Sequence, residues 1–141
     1  MRLYIIDTSV LVAGLVTGDS AAPTAKILDA MLDGRLAYLL SPALLHEYRG
    51  VLLRPRLSRL HGLTEPELDH LLTVIVANAL WREPPDDGAH PAPDPGDSHL
   101  WALLAQETGC ILVTGDQLLL QQPRPGSQVI TPAGCARFLS S

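Results

Sequence analysis

Short apolar runs alternate with longer amphipathic stretches along most of this chain. Runs of strand composition lie at residues 3–6, 36–40, 79–81, 110–114 and 128–130. Apolar residues at helical spacing fill much of the sequence between them, over residues 21–33, 41–53, 64–78, 97–109 and 131–139. A further short helix is predicted between the strands at 110–114 and 128–130. Strands that alternate with helices favour a mainly parallel sheet covered on both faces. The pattern therefore predicts an α/β fold.

Capping residues mark the ends of several predicted helices. Gly34 fits just past the first of them, and Ser41 with Pro42 is a typical start for the next. Thr64 and Glu67 have the spacing of a capping box. Residues 7–16 continue the first apolar run without a break, so the first helix is predicted only from residue 21. The proline-rich residues 84–96 are predicted to form a loop.

Four acidic residues from distant segments fall where strands end or helices begin. Asp7 ends the first strand, and Asp116 follows the strand "ILVTG". Asp97 begins a helix, and Glu47 lies about a turn and a half after Pro42. Ligands of open α/β sheets bind at the carboxyl ends of the strands. We therefore expect these four side chains to meet at one edge of the sheet.

Such a cluster predicts a metal ion. Four adjacent carboxylates repel one another, and without a cation some of them would take up protons. Ligand sets made only of oxygen select Mg²⁺ or Mn²⁺ over zinc. These ions activate water and stabilise displacement at phosphorus. Thr8 and Ser9, beside Asp7, supply hydroxyls that orient water or ligands.

The composition is that of a globular protein, and we expect residues 1–141 to form one domain. Hydrophobic residues make up 47% of the chain and charged residues 18%, with a net charge of −5 that argues against nonspecific coating of nucleic acid. If the four acids share a metal site, 11 of the 15 acidic residues remain to face 10 basic ones. No segment has the run of about 20 apolar residues that spans a bilayer. Cys110 and Cys135 form no metal spacing and are expected to be buried thiols in a reducing cytoplasm.

Several stretches together resemble a known family. These are "IIDTSVLV", "LLHEYRGVLLRP" with Glu47, "DPGDSHLWALLAQETGCILVTGD" and "VITPAGCARFL". In order and spacing they look like a PIN-domain nuclease, and especially like the VapC-like toxins of bacterial toxin–antitoxin pairs. The resemblance runs from Leu3 to Leu139. It implies a three-layer α/β/α sandwich with a central, mainly parallel sheet, and a metal-dependent ribonuclease activity.

The resemblance also implies which residues form the site. The catalytic and metal-binding acids of the family carry over to Asp7, Glu47, Asp97 and Asp116. The supporting polar residues carry over to Ser9 and Thr114. Asp94 is a second candidate for the third acid, and Asp97 is preferred because a helix start would aim it inward. The loop "PPDDGAHPAPDPG" is the least family-like part.

Basic residues are densest in "RGVLLRPRLSRLHG", just after Glu47. Arginine forks suit phosphate oxygens, and phosphate contacts position a nucleic acid without reading its sequence. We therefore predict that RNA contacts Arg49, Arg54 and Arg56. His99, two residues after Asp97, is interpreted as a surface residue, with an approach to the substrate as the alternative.

Three functions remain open at this stage. The first is an endoribonuclease dependent on Mg²⁺ or Mn²⁺, acting on RNA as the toxin of a type II pair. By family resemblance it would be held inactive by a cognate antitoxin and would form a homodimer. The second is a non-catalytic PIN-like module that binds RNA or protein, and the third is a DNA nuclease of the flap type, whose members usually carry more acids and larger insertions.

Overall fold

The computed structural model describes residues 2–139 and contains the predicted alternation of strands and helices. The strands are β1 (Tyr4–Ile6), β2 (Leu39–Leu40), β3 (Leu80–Trp81), β4 (Ile111–Val113) and β5 (Gln128–Ile130). The first four helices are α1 (Thr8–Val16), α2 (Pro23–Asp33), α3 (Pro42–Leu52) and α4 (Pro55–His61). The others are α5 (Glu65–Asn78), α6 (Ser98–Gln106), α7 (Gln117–Gln121) and α8 (Pro132–Leu139). A 3₁₀ turn, Pro95–Asp97, directly precedes α6.

All strand pairs are parallel. β4 lies between β1 and β5, and β2 pairs with β3. A parallel bridge between Tyr4 and Tyr38 joins the two groups, with the Tyr4 amide donating to the carbonyl of Ala37 at 3.0 Å. The resulting strand order is β3-β2-β1-β4-β5. Because the chain reverses direction across the sheet between β1 and β4, the crevice at their carboxyl ends is the expected ligand position.

Both faces of the central strands are covered. Successive side chains of a strand point to opposite faces, yet all three residues of β1 and all three of β4 are buried. The edge strand β3 is exposed. Buried strands of this kind are typical of a parallel sheet between two helical layers, so the predicted α/β/α architecture is confirmed.

Two helices are absent from the prediction. α1 begins immediately after Asp7, whereas the sequence predicts that residues 7–16 continue the first apolar run. Its residues TSVLVAGLV are apolar on all sides, so they give no helical periodicity. α4 is short and lies within the basic stretch. The predicted caps at Ser41, Thr64 and Gly34 are confirmed.

Helix α1 packs closely on α2. At Gly14 a Cβ atom would lie 2.5 Å from the carbonyl oxygen of Thr24, well inside van der Waals contact. The absence of a side chain at Gly14 therefore permits this close approach. Within residues 2–139, none of the helices is long and apolar enough to cross a membrane.

Candidate active site

Asp7 lies at the junction of β1 and α1. Its Oδ1 accepts a hydrogen bond from the Thr8 amide at 2.9 Å, as an N-cap does. Its Oδ2 accepts from the hydroxyls of Ser9 at 3.2 Å and Thr114 at 2.7 Å. Burial raises the pKa of the Asp7 carboxyl, and the bonds from Thr114, Ser9 and Thr8 oppose that rise. Hydrogen bonds from these three donors favour the ionised form of the Asp7 carboxyl, although the residue is only 6% exposed.

The Thr114 hydroxyl joins the ends of β1 and β4. It donates to Asp7 and accepts from the amide of Asp116 at 3.0 Å. Thr114 is fully buried, so this bridge is shielded from water. It fixes the backbone at Asp116 relative to the Asp7 carboxylate.

Asp116 itself is exposed and begins α7. Its Oδ1 accepts from the Leu118 amide at 2.9 Å. Together with Asp7 and Glu47 it lines a cavity of about 370 Å³, which we call the acidic hollow. The remaining lining residues are Thr8, Ser9, Val12, Val51 and Arg54. Three of the four predicted acids therefore face one space.

Glu47 is held by partners on two other helices. One carboxylate oxygen accepts a short hydrogen bond from the Thr8 hydroxyl, and the other lies 3.0 Å from Nε2 of His99. His99 Nδ1 is buried without a hydrogen-bond partner among the described residues. A hydrogen on Nε2 and a bare lone pair on Nδ1 satisfy both atoms best, so we assign His99 as a donor to Glu47. The prediction that His99 is a surface residue is wrong, because its side chain is only 16% exposed and contacts an acid of the site.

The third acid lies within the electrostatic reach of the others. Asp97 ends the 3₁₀ turn, and its side chain makes no capping bond. Burial is the largest cause that raises the pKa of Asp97 to about 6, and the charges of Asp7, Asp94, Glu47 and Asp116 add to it. Asp94 is exposed and caps the same turn, accepting from the Gly96 amide at 2.9 Å. Its carboxylate is therefore engaged locally, which favours Asp97 as the third acid.

The sequence of the chain matches a known family. A family model described as "PIN domain" matches residues 4–118. The chain belongs to the PIN-domain family. PIN domains are generally metal-dependent nucleases, and the matched range contains all four acids. A search among curated proteins found no match to the chain.

The acids of this PIN domain form a donor set that suits a hard dication. Carboxylate and hydroxyl oxygens are the ligands that Mg²⁺ and Mn²⁺ prefer. Within residues 2–139, no three acidic, histidine or cysteine side chains stand close enough to enclose an ion as they are placed. The oxygens of Asp7 and Glu47 make hydrogen bonds to neighbouring side chains instead. Binding an ion would therefore require the carboxylates to draw together.

The three arginines predicted to contact RNA have different surroundings. Arg54 lines the acidic hollow and begins α4 with no side-chain capping bond. Arg56 is exposed on α4. The Arg49 guanidinium instead pairs with Asp69 at 2.9 Å and with Glu65 at 2.8 Å. Arg54 is therefore the best placed of the three to contact a strand that enters the hollow.

Proposed function

We propose that this PIN domain is an endoribonuclease dependent on Mg²⁺ or Mn²⁺, with residues 1–141 acting as one nuclease domain. The observation that carries the proposal is the meeting of Asp7, Glu47 and Asp116 in one hollow, at the point where the sheet reverses direction. We assign Asp97 to the same set: burial raises its pKa most, and the charges of Asp7, Glu47 and Asp116 are among those that raise it further. A site with four negative charges is poor at binding a phosphodiester unless a dication neutralises it.

Each acid has a separate role in this proposal. Asp7, Asp97 and Asp116 hold the metal, and Glu47 completes its coordination. When bound, the metal supplies Lewis-acid activation of water and charge stabilisation at phosphorus. Ser9 and Thr114 keep the Asp7 carboxylate ionised and oriented through their hydroxyls. Thr8 and His99 orient Glu47 through hydrogen bonds to both of its oxygens, and these bonds must rearrange when the side chain moves to an ion.

Metal dependence is the direct test of the proposal. RNA cleavage by the purified protein is expected to require added Mn²⁺ or Mg²⁺, and calorimetry should detect Mn²⁺ binding. EDTA should reduce cleavage to background, and excess Mn²⁺ should restore it. Cleavage that persists in EDTA would contradict the mechanism, whereas RNA binding without Mn²⁺ binding would identify a non-catalytic module.

RNA binding provides a second prediction. Replacing Arg54 and Arg56 by alanine should weaken RNA affinity about tenfold at low salt, because two phosphate contacts are lost next to the acidic hollow. Fluorescence anisotropy with a labelled single-stranded RNA measures this effect. A matched control is Arg35→Ala with Arg2→Ala, which removes the same charge elsewhere. Equal affinity of the two double variants would exclude the basic stretch as the RNA contact.

We further propose that the protein is the VapC-like toxin of a type II toxin–antitoxin pair. The stretches that resemble this group support the assignment. In this proposal a cognate antitoxin covers the acidic hollow, the toxin forms a homodimer, and both act in the cytoplasm. The two buried cysteines, which form no disulfide, are compatible with a reducing compartment. Growth arrest on expression of the protein alone, relieved by co-expression of a small neighbouring reading frame, is the expected result.

A further inference from the structure

The loop that leads to the third acid is held to the rest of the protein at few points. Before the loop, Arg82 pairs with Glu107 at 2.5 Å at the end of α6. At its far end, the Asp97 amide donates to the Asp94 carbonyl within the 3₁₀ turn. Between these points the loop has no helix or strand. Its position therefore depends on whatever contacts its middle makes.

One nearly buried ion pair holds the middle of the loop. Nε of Arg124 lies 2.8 Å from Oδ2 of Asp87, with side chains that are 15% and 5% exposed. The other oxygen of Asp87 accepts from the Ala89 amide at 3.1 Å. The Arg124 guanidinium holds the pKa of the Asp87 carboxyl below its usual range. Asp87 is therefore a charged, oriented anchor and not a solvated loop residue.

Among the described residues, one hydrogen bond joins the loop, residues 83–93, to a segment outside the loop and its flanks. That bond runs from Arg124 to Asp87. Ala92 packs against the hydrophobic core, and a cavity of about 230 Å³ lies among Asp87, Pro91, Ser98 and Trp101. Without the ion pair, the loop would lose its hydrogen-bonded link to the segment that follows Asp116.

The backbone at Arg124 is held between two elements of regular structure. It lies between α7, which begins after Asp116, and β5, which pairs with β4. Its carbonyl accepts from the Ser127 amide at 3.0 Å, which closes the turn into β5. The ion pair therefore connects the loop that carries Asp97 to the segment that follows Asp116.

We propose that Arg124 and Asp87 are positioning residues that set the Asp97 carboxylate against Asp116 for metal binding. This inference rests on the proposed function. Arg124 lies beyond the matched residues 4–118, and Asp87 lies in the least family-like loop. Removing one partner leaves the other charge nearly buried and unpaired. The loop must then move to hydrate that charge, and it carries the third acid with it.

The test measures Mn²⁺ affinity by calorimetry for Arg124→Gln. The affinity is expected to fall about tenfold or more, as it does when residues that orient metal ligands are lost. At saturating Mn²⁺ the KM for RNA should stay within about twofold, because Arg124 does not line the acidic hollow. A residue that only stabilised the fold would not separate these two quantities.

Arg35→Gln is the matched control, because it removes the same charge from an exposed pair with Asp33. It should leave Mn²⁺ affinity unchanged. If Arg124→Gln does not fold, the double variant Asp87→Asn, Arg124→Gln buries no lone charge and should show the same loss. Unchanged affinity in these variants, with normal binding by the original protein, would overturn this inference alone. Absence of Mn²⁺ binding by the original protein would overturn both the proposed function and this inference.

Discussion

Replacing Asp7 by asparagine is expected to abolish RNA cleavage, lowering kcat/KM on the order of 10³-fold, the upper range for loss of one electrostatic group in an active site. Asp7 is the most buried acid of the site and receives hydrogen bonds from Thr8, Ser9 and Thr114. An amide keeps the size of the side chain but removes its charge. The variant should therefore lose metal affinity together with activity, as calorimetry with Mn²⁺ would show.

The same substitution should not unfold the protein. Because burial raises the pKa of Asp7, its ionised form is costly in the folded state at neutral pH. An asparagine oxygen can still accept from the Thr8 amide, so the N-cap of α1 survives. Asp29→Asn makes the same chemical change at an exposed position of α2 and should leave activity intact. Full activity of Asp7→Asn would contradict the proposed site, and an unfolded variant would contradict the role of Asp7 as a mainly electrostatic residue.

Asp97→Asn is expected to remove a pH dependence that is visible in stability and in metal binding. The pKa of Asp97 is about 6 in the folded protein, above its ordinary value of 3.8. Between these two pH values the folded state keeps a proton that the unfolded state has released, so rising pH destabilises the metal-free protein. At pH 7 the variant should therefore be more stable than the original protein without metal, and near pH 4 the two should agree.

Metal binding should show the opposite trend across the same range. A carboxylate must lose its proton to bind an ion, so Mn²⁺ affinity of the original protein should rise with pH up to about 6 and then level off. Urea unfolding and calorimetry from pH 4 to 8 measure the two effects. Asp94→Asn is the matched control, since Asp94 is exposed and engaged with Gly96; loss of its charge should lower the midpoint of the pH dependence but not remove it. If Asp94→Asn abolished the dependence and Asp97→Asn did not, Asp94 would be the third acid.

Much of the fold is predictable from the sequence because the strands are short, apolar and well separated. Gly34, Ser41 and Thr64 mark helix ends by local chemistry that needs no tertiary information. Helix α1 escaped prediction because residues 10–16 are all apolar, so no polar positions reveal the helical spacing. The signal that could have found it is Asp7 itself, which caps α1 as well as ending β1.

In the candidate site, too, part of the arrangement is predictable from the sequence and part is not. The placement of Asp7, Glu47 and Asp116 follows from topology, because parallel strands end at one edge. The contact between His99 and Glu47 joins residues 52 positions apart, and the pair of Asp87 and Arg124 joins residues 37 apart. Neither pair has a spacing pattern, so only the folded chain brings them together. The one available signal for His99 was its position one helical turn or less from Asp97.

The close packing of α1 on α2 at Gly14 has a consequence for the candidate active site, which lies at the start of α1. Gly14 lies six residues after Thr8, or about 9 Å along the axis of α1. A methyl group there would collide with the Thr24 carbonyl, and α1 would have to tilt away from α2 as a rigid rod. The tilt would move the hydroxyls of Thr8 and Ser9 away from the carboxylates of Glu47 and Asp7. The absence of a Cβ atom at Gly14 therefore keeps these hydroxyls in place.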